Sequence, residues 1–281
     1  MMIKMIASDL DETLLGPGSR VVEENLRAIK KCQELGIKFV PATGRGFYSL
    51  RQTLEELGQA DQAGQYTICY NGGAVFENKG PRLISFTGMD ADLVEEIFKR
   101  GQELGLGMHI YTEDQVYGYQ LTQEEIDFCQ GRLDFASLPG GDLAALRASG
   151  ARFAKILYVD TDFPRLKKLR KDLADFEKVS EMSFSSNRYL EFNPLKVNKG
   201  TGLKKLCQEL GYQLDETMAI GDSFNDLAMI KAAGTGVGVA NVSPEMRADC
   251  DKITEKTFDQ GAVAEAIDRW ILPEYKWENN C

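Results

Sequence analysis

The chain repeatedly runs a few apolar residues into a polar, often glycine-containing stop, with a stretch of helical spacing before the next apolar run. Met1–Ala7 halts at Asp9-Leu10-Asp11, Ile37–Pro41 at Ala42-Thr43-Gly44-Arg45, and Tyr66–Tyr70 at Asn71-Gly72-Gly73. Short unalternated apolar runs suit strands buried on both faces. Between the first two runs, Val22, Leu26, Ile29 and Cys32 recur at helical spacing and Gly36 closes the segment, which reads as a strand, helix, strand unit. A further helix is expected near Phe47–Leu57. From about Leu83 the rhythm changes to a helix over Asp92–Leu104 and strands over Met108–Thr112, Val116–Gln120 and Phe153–Asp160. A Lys/Arg-rich helix over Phe163–Phe176 and a strand pair, Lys178–Phe184 with Ser186–Phe192, complete an α+β pattern with antiparallel pairing. After Asn193-Pro194 the first rhythm returns: helix Lys199–Leu210, strand Thr217–Ile220, helix Asn225–Ala233, strand Gly236–Val239 and a last helix around Ala262–Trp270. The expected fold is α/β: a Rossmann-like parallel-sheet core from residues 1–82 and 193–281, split by an inserted α/β domain, 83–192. The tail Glu274–Cys281 is expected to pack poorly.

Composition removes several function classes. The 33 Lys and Arg face 43 Asp and Glu, a net charge of −10, which opposes non-specific binding to nucleic acid. No run approaches the ~18 apolar residues of a membrane span, and Ser8-Asp9 interrupts the first run before a signal peptide could form, so a cytoplasmic protein is expected. Six cysteines lie far apart without a CxxC, and the chain has one histidine; neither a disulfide framework nor a zinc site is suggested. Chemistry is therefore expected from carboxylates.

In an open α/β sheet, ligands sit beyond the carboxyl ends of the strands. The polar stops lie there: Asp9 and Asp11, Thr43, Asn71, and Asp222 with Asp226, while Lys199 opens the helix ahead of the fourth core strand. Carboxylates gathered this closely raise one another's pKa or demand a cation. A hard divalent ion answers that demand, and Mg²⁺, which needs few protein oxygens and keeps positions for water and phosphate, fits two or three carboxylates. Beside such an ion one carboxylate can attack phosphorus and another can protonate the leaving oxygen and then activate water. Thr43 and Lys199 supply a hydroxyl and an ammonium to hold phosphoryl oxygens.

The string Asp9-Leu10-Asp11-Glu12-Thr13 resembles the DxDxT signature of the haloacid dehalogenase superfamily. Thr43 in Ala-Thr-Gly-Arg, Lys199 in Asn-Lys-Gly, and Gly221-Asp222-Ser223-Phe224-Asn225-Asp226 are similar to its other motifs, in the same order. The insertion ahead of Lys199 resembles the cap of the Cof-type sugar-phosphate phosphatases. The resemblance implies that Asp9 is the nucleophile and Asp11 the acid/base. It implies that Asp9, the Asp11 carbonyl and Asp222 hold Mg²⁺, that Thr43, Lys199 and Asn225 bind phosphate, and that Asp226 steadies Lys199 or the metal's waters. Arg45 and Asn71 would lie at the pocket rim. The activity implied is hydrolysis of a small phosphorylated metabolite, such as a sugar phosphate, through an aspartyl-phosphate.

Each residue also has a plainer reading. A lone DxDxT can be a strand end followed by a helix-capping aspartate, and it is the joint occurrence of the motifs that favours catalysis. Asp226 can be an early-helix carboxylate, Asn71-Gly72 a simple turn and Arg45 a surface ion pair. Glu191, at the return from insertion to core, either faces substrate or solvates a strand. His109 either reads substrate from the insertion or, as a lone histidine in the apolar run Met108–Tyr111, is a packed or surface-strand residue, and Arg165, Lys167, Lys168, Arg170 and Lys171 read as the solvated side of a helix whose Leu166, Leu169 and Leu173 face inward. The competing functions are a sugar phosphomutase and, outside enzymes, a phospho-receiver module. The receiver reading sits badly with a built-in general acid at Asp11. Oligomeric state and substrate identity are not written in these motifs.

Overall fold

The computed structural model describes residues 2–130 and 133–278. They form two compact units, one from Met1–Ser85 and Asn198–Cys281, the other from Phe86–Val197. The strands in chain order are β1 (Met5–Ser8), β2 (Lys38–Pro41), β3 (Tyr66–Cys69), β4 (Ala74–Glu77), β5 (Arg82–Phe86), β6 (Gly107–Thr112), β7 (Val116–Tyr119), β8 (Ala136–Ser137), β9 (Phe153–Val159), β10 (Ser180–Ser185), β11 (Tyr189–Pro194), β12 (Thr217–Gly221), β13 (Thr235–Gly238) and β14 (Lys252–Ile253).

The first unit is built on a parallel sheet in the order β14-β13-β12-β1-β2. β1 and β12 are buried throughout, as strands covered on both faces must be. One face carries Met5, Ala7, Val40, Ala42 and Ala219 against Leu203, Leu206 and Cys207 of the helix Lys199–Leu210. The buried Asn25 ties the helices Glu23–Glu34 and Ala262–Trp270 together. Its Nδ2 donates to the Leu14 carbonyl at 3.1 Å and its Oδ1 accepts from the Ala264 N–H at 2.9 Å, so a costly buried amide is satisfied. Ser8 pairs in register with Pro41 on one side and Ile220 on the other. The carboxyl ends of three neighbouring strands are thereby level.

The second unit carries a six-stranded sheet, order β10-β11-β9-β6-β7-β8, antiparallel except between β7 and β8. Its residues alternate as a half-covered sheet demands. Met108, Ile110, Ile156, Tyr158, Leu190 and Phe192 join a core with Val94, Ile97, Phe98, Leu166 and Leu169 from the helices Ala91–Glu103 and Phe163–Asp172. The intervening positions bring His109, Lys155, Tyr189 and Glu191 to the opposite face. The basic run on Phe163–Asp172 is the solvated side, with Arg165, Lys168 and Arg170 paired to Asp160, Asp172 and Glu177.

Three local expectations are corrected. The tail is not loose through Glu274: Leu272–Glu278 is a helix, and the Tyr275 hydroxyl donates to the Ile3 carbonyl at 2.6 Å; Cys281 lies outside the described residues. β3 touches β2 in parallel only through the Ala42–Ile68 bridge and otherwise pairs antiparallel with β4 in a separate sheet, β3-β4-β5. The expected helix over Phe163–Phe176 stops at Asp172 and continues as a 3₁₀ turn, Ala174–Lys178, which buries Phe176. No helix among the described residues is long and apolar enough to cross a membrane.

Candidate active site

The site grows from the level strand ends of the first unit. Asp9 follows β1, and its N–H donates to the Ile220 carbonyl at 2.9 Å, continuing the ladder one residue past the strand. Thr43 follows β2 by two residues, its N–H bonded to the Ile68 carbonyl at 2.9 Å. Asp222 follows β12 directly. Lys199 is the first residue of the helix Lys199–Leu210, whose start is fixed by a reciprocal cap: the Asn198 side chain accepts from the Thr201 N–H at 2.9 Å, and Thr201 Oγ1 accepts from the Asn198 N–H at 3.1 Å. That helix start lies directly on the loop after β3. Gly72 sits there at φ +92°, and a Cβ on it would collide with the Asn198 carbonyl; only glycine satisfies both conditions.

Three carboxylates and one ammonium meet in the interior. Asp9, Asp222 and Asp226 each present an oxygen within 4.8 Å of the others, and all three are buried. Lys199 Nζ, fully buried, donates to Asp9 Oδ1 and, at 2.6 Å, to Asp226 Oδ1. The second Asp226 oxygen accepts the backbone N–H groups of Asp222 and Ser223 at 3.0 and 3.1 Å. Asp226 therefore fixes both the lysine and the Asp222 turn. Burial pushes the Asp9 carboxyl well above the ordinary range; Lys199 opposes that shift, and the charges of Asp226 and Asp222 add to it. Asp222 is pushed up to about 7, by burial first and then by Asp226, against a hydrogen bond from Thr13. Burial also works against the Lys199 charge, but Asp226 and Asp9 outweigh it and hold the ammonium protonated. With every group ionised, two negative charges stay unbalanced. The donors are all oxygens, so the group can hold a hard metal ion, which would remove that excess.

The other expected residues divide between this cluster and its margin. Asp11 is not in the buried group: its half-exposed carboxylate is held by both arms of Arg45, with Nε to Oδ2 at 2.9 Å. Thr43 is buried, its hydroxyl accepting from the Arg45 N–H at 3.1 Å and its carbonyl from the Asn71 N–H at 2.9 Å. Asn225 Nδ2 donates to Asn71 Oδ1 at 3.4 Å, and its Oδ1 accepts from Ser223 at 2.6 Å. Asn225 lies ahead of the helix Leu227–Ala232 rather than inside it. Glu191 belongs to the second unit, where it neither solvates a strand nor stands open: it is buried, bonded to Lys155 Nζ at 2.7 Å and to Ser185. The sequence motifs assign Thr13 no role. It is fully buried, and its hydroxyl donates to Asp222 Oδ1 at 2.7 Å across 209 residues of chain; the only signal was its place at the end of Asp-Leu-Asp-Glu-Thr.

This fold and cluster define a class. A family model described as haloacid dehalogenase-like hydrolase matches residues 6–267, and the chain belongs to that family. It is a phosphatase, a hydrolase of phosphoric monoesters, as its relatives are named. A 5-amino-6-(5-phospho-D-ribitylamino)uracil phosphatase of Bacillus subtilis is 28% identical over 272 residues, covering 96% of each chain. An HMP-PP phosphatase of Serratia proteamaculans is 28% identical over 275 residues, covering 98% of this chain and 97% of its own. Among solved structures, a haloacid dehalogenase-like hydrolase from Bacteroides thetaiotaomicron superposes with a TM-score of 0.83 at 27% identity, over 95% of this chain and 99% of that one.

Proposed function

We propose that this phosphatase is Mg²⁺-dependent and hydrolyses a small phosphorylated metabolite, a sugar phosphate among the candidates, through an aspartyl-phosphate on Asp9. The observation that carries the proposal is the buried Asp9 carboxylate, gripped by Lys199 in one group with Asp222 and Asp226. Asp9, the Asp11 carbonyl and Asp222 would hold Mg²⁺, with Asp226 behind them. When bound, the ion neutralises phosphoryl oxygens and the carboxylates themselves.

The residues then divide the work. An Asp9 oxygen attacks phosphorus as the ester P–O bond breaks, and the leaving alkoxide takes a proton from Asp11. In the second step Asp11, now a carboxylate, accepts a proton from water as the water attacks the phosphoaspartate, and inorganic phosphate leaves Asp9. For either step Asp11 must turn from Arg45 towards the reacting oxygen. The Lys199 ammonium and Thr43 hydroxyl hold the phosphoryl oxygens with Asn225, and Asp226 keeps the ammonium aimed. Arg45 and Asn71 border the entrance. In the same proposal residues 1–82 and 193–281 are the catalytic core, and residues 83–192, with Glu191 a candidate contact, select the substrate.

Phosphate release from an aryl phosphate and a panel of sugar phosphates, with and without Mg²⁺, tests this reading. Asp9→Asn is expected to abolish turnover and Asp11→Asn to slow both steps and accumulate phosphoprotein. Normal turnover by Asp9→Asn overturns the mechanism. Isomerised sugar phosphate without free phosphate assigns a mutase instead, and a long-lived phosphoprotein in the unaltered chain assigns a receiver.

A further inference from the structure

The second unit buries a group that phosphoryl chemistry does not use. His109 on β6, Tyr189 on β11, and Glu125 with Cys129 from successive turns of the helix Gln123–Cys129 converge on the sheet face opposite the apolar core. His109 and Glu125 are each 1% exposed, and Cys129 and Tyr189 are buried as well. Glu125 Oε1 lies 3.1 Å from His109 Nε2 and 3.3 Å from Cys129 Sγ, and accepts the Tyr189 hydroxyl at 2.6 Å. Cys129 Sγ is 3.7 Å from the same hydroxyl. One atom each of His109, Glu125 and Cys129 all fall within 4.8 Å of one another.

We propose that His109 Nε2, Glu125 Oε1 and Cys129 Sγ form a zinc-binding site, with Tyr189 beside them as a fourth donor. Tetrahedral zinc with bonds of about 2.0–2.3 Å spaces its donor atoms roughly 3.3–3.7 Å apart; the His109–Glu125, Cys129–Glu125 and Cys129–Tyr189 separations lie close to that range. One imidazole, one thiol and one carboxylate is a mixed set that suits zinc and not Mg²⁺, which takes oxygen alone. A second observation points to a missing partner. Despite its nearness to Glu125, His109 Nε2 closes no hydrogen bond among the described residues; buried polar atoms are rarely left so. Charge also balances. Arg188 lies 3.4 Å from Glu125 Oε2 and 2.8 Å from the exposed Glu124, so zinc, the two glutamates, the arginine and a Cys129 thiolate sum to zero. Binding displaces the thiol proton, so one proton is released for each ion taken up.

The full-length protein, stripped with a chelator, is loaded with Zn²⁺ or Co²⁺ under excess Mg²⁺, which competes for all-oxygen sites, and desalted before metal analysis. The expected result is about one retained zinc per chain, and a thiolate-to-cobalt charge-transfer band in the cobalt form. Both are lost in Cys129→Ser and in His109→Gln and kept in Asp222→Asn. Retention of zinc by the cysteine and histidine variants, or its loss in Asp222→Asn alone, overturns the proposal. A cobalt form of the unaltered chain without a thiolate band overturns it too, whatever the folding of the variants.

Discussion

Replacing Lys199 by methionine tests the electrostatic core of the site. The substitution keeps length and apolar bulk while removing the ammonium that touches Asp9 and Asp226, both buried. Removing one partner of a buried ion pair costs about 3–5 kcal/mol, chiefly because the other charge is left uncompensated. At roughly 2–4 °C per kcal/mol for a unit of 150–250 residues, the unfolding temperature of the first unit should drop by about 6–20 °C at pH 7. The loss should depend on pH. Without the ammonium, which opposes the upward shift of Asp9, that carboxyl rises further above its unfolded pKa. The folded variant then takes up protons that the unfolded chain does not, and the deficit against the unaltered protein shrinks as pH falls from 7 towards 5. Phosphatase activity should vanish over the whole interval. Calorimetry at three pH values, with far-UV circular dichroism to confirm folding, reads the effect. A deficit of under 2 °C, or one that does not change with pH, would show that Lys199 is not the counter-charge of this cluster.

Three other outcomes follow from the same geometry. Thr13→Val removes the hydroxyl that donates to Asp222 at 2.7 Å; a hydrogen bond to a charged group is worth about 1.5–3 kcal/mol, so half-saturation by Mg²⁺ should move up roughly ten- to hundredfold at pH 7 and recover at higher pH. Unchanged Mg²⁺ titrations would refute that link. Gly72→Ala puts a Cβ against the Asn198 carbonyl at φ +92°, and should cost at least about 2 kcal/mol in chemical denaturation together with a fall in activity, because Lys199 must shift with the displaced helix start. A midpoint equal to that of the parent would contradict it. The third concerns pH without divalent ions. Burial, with the charge of Asp226, pushes the Asp222 carboxyl from an ordinary 3.8 up to about 7, so its contribution is favourable below the unfolded value and is lost as pH climbs through 7. The stability difference between the parent and Asp222→Asn should therefore change across this window in the direction unfavourable to the parent, and added Mg²⁺ should reverse it; a parent that gains on the variant as pH rises would disprove the assignment.

The strand rhythm and the aspartates at strand ends are legible because each is a local property. Burial on both faces forces unbroken apolar runs, and a parallel strand that ends at a ligand must end in polar residues, so Asp9, Thr43 and Asp222 stand out in one dimension. The strands Ala74–Glu77 and Arg82–Phe86 do not stand out in the sequence: the first is only four residues long and follows the Asn71-Gly72-Gly73 turn, and the second is at most half-buried and lacks an unbroken apolar run.

What the chain could not disclose in one dimension is how its charges pair. Sequence set Asp9 beside Asp11 as equals; in three dimensions one carboxylate is buried on Lys199 and the other lies half exposed on Arg45, because pairing depends on which distant loop arrives with a cation. Thr13 likewise meets Asp222, and the single histidine meets Glu125 and Cys129, only through strand register and helix packing. Residue type and order decide which groups are available for chemistry. Contact and desolvation, which act through space between segments far apart along the chain, decide the charge each group carries and the partner it keeps.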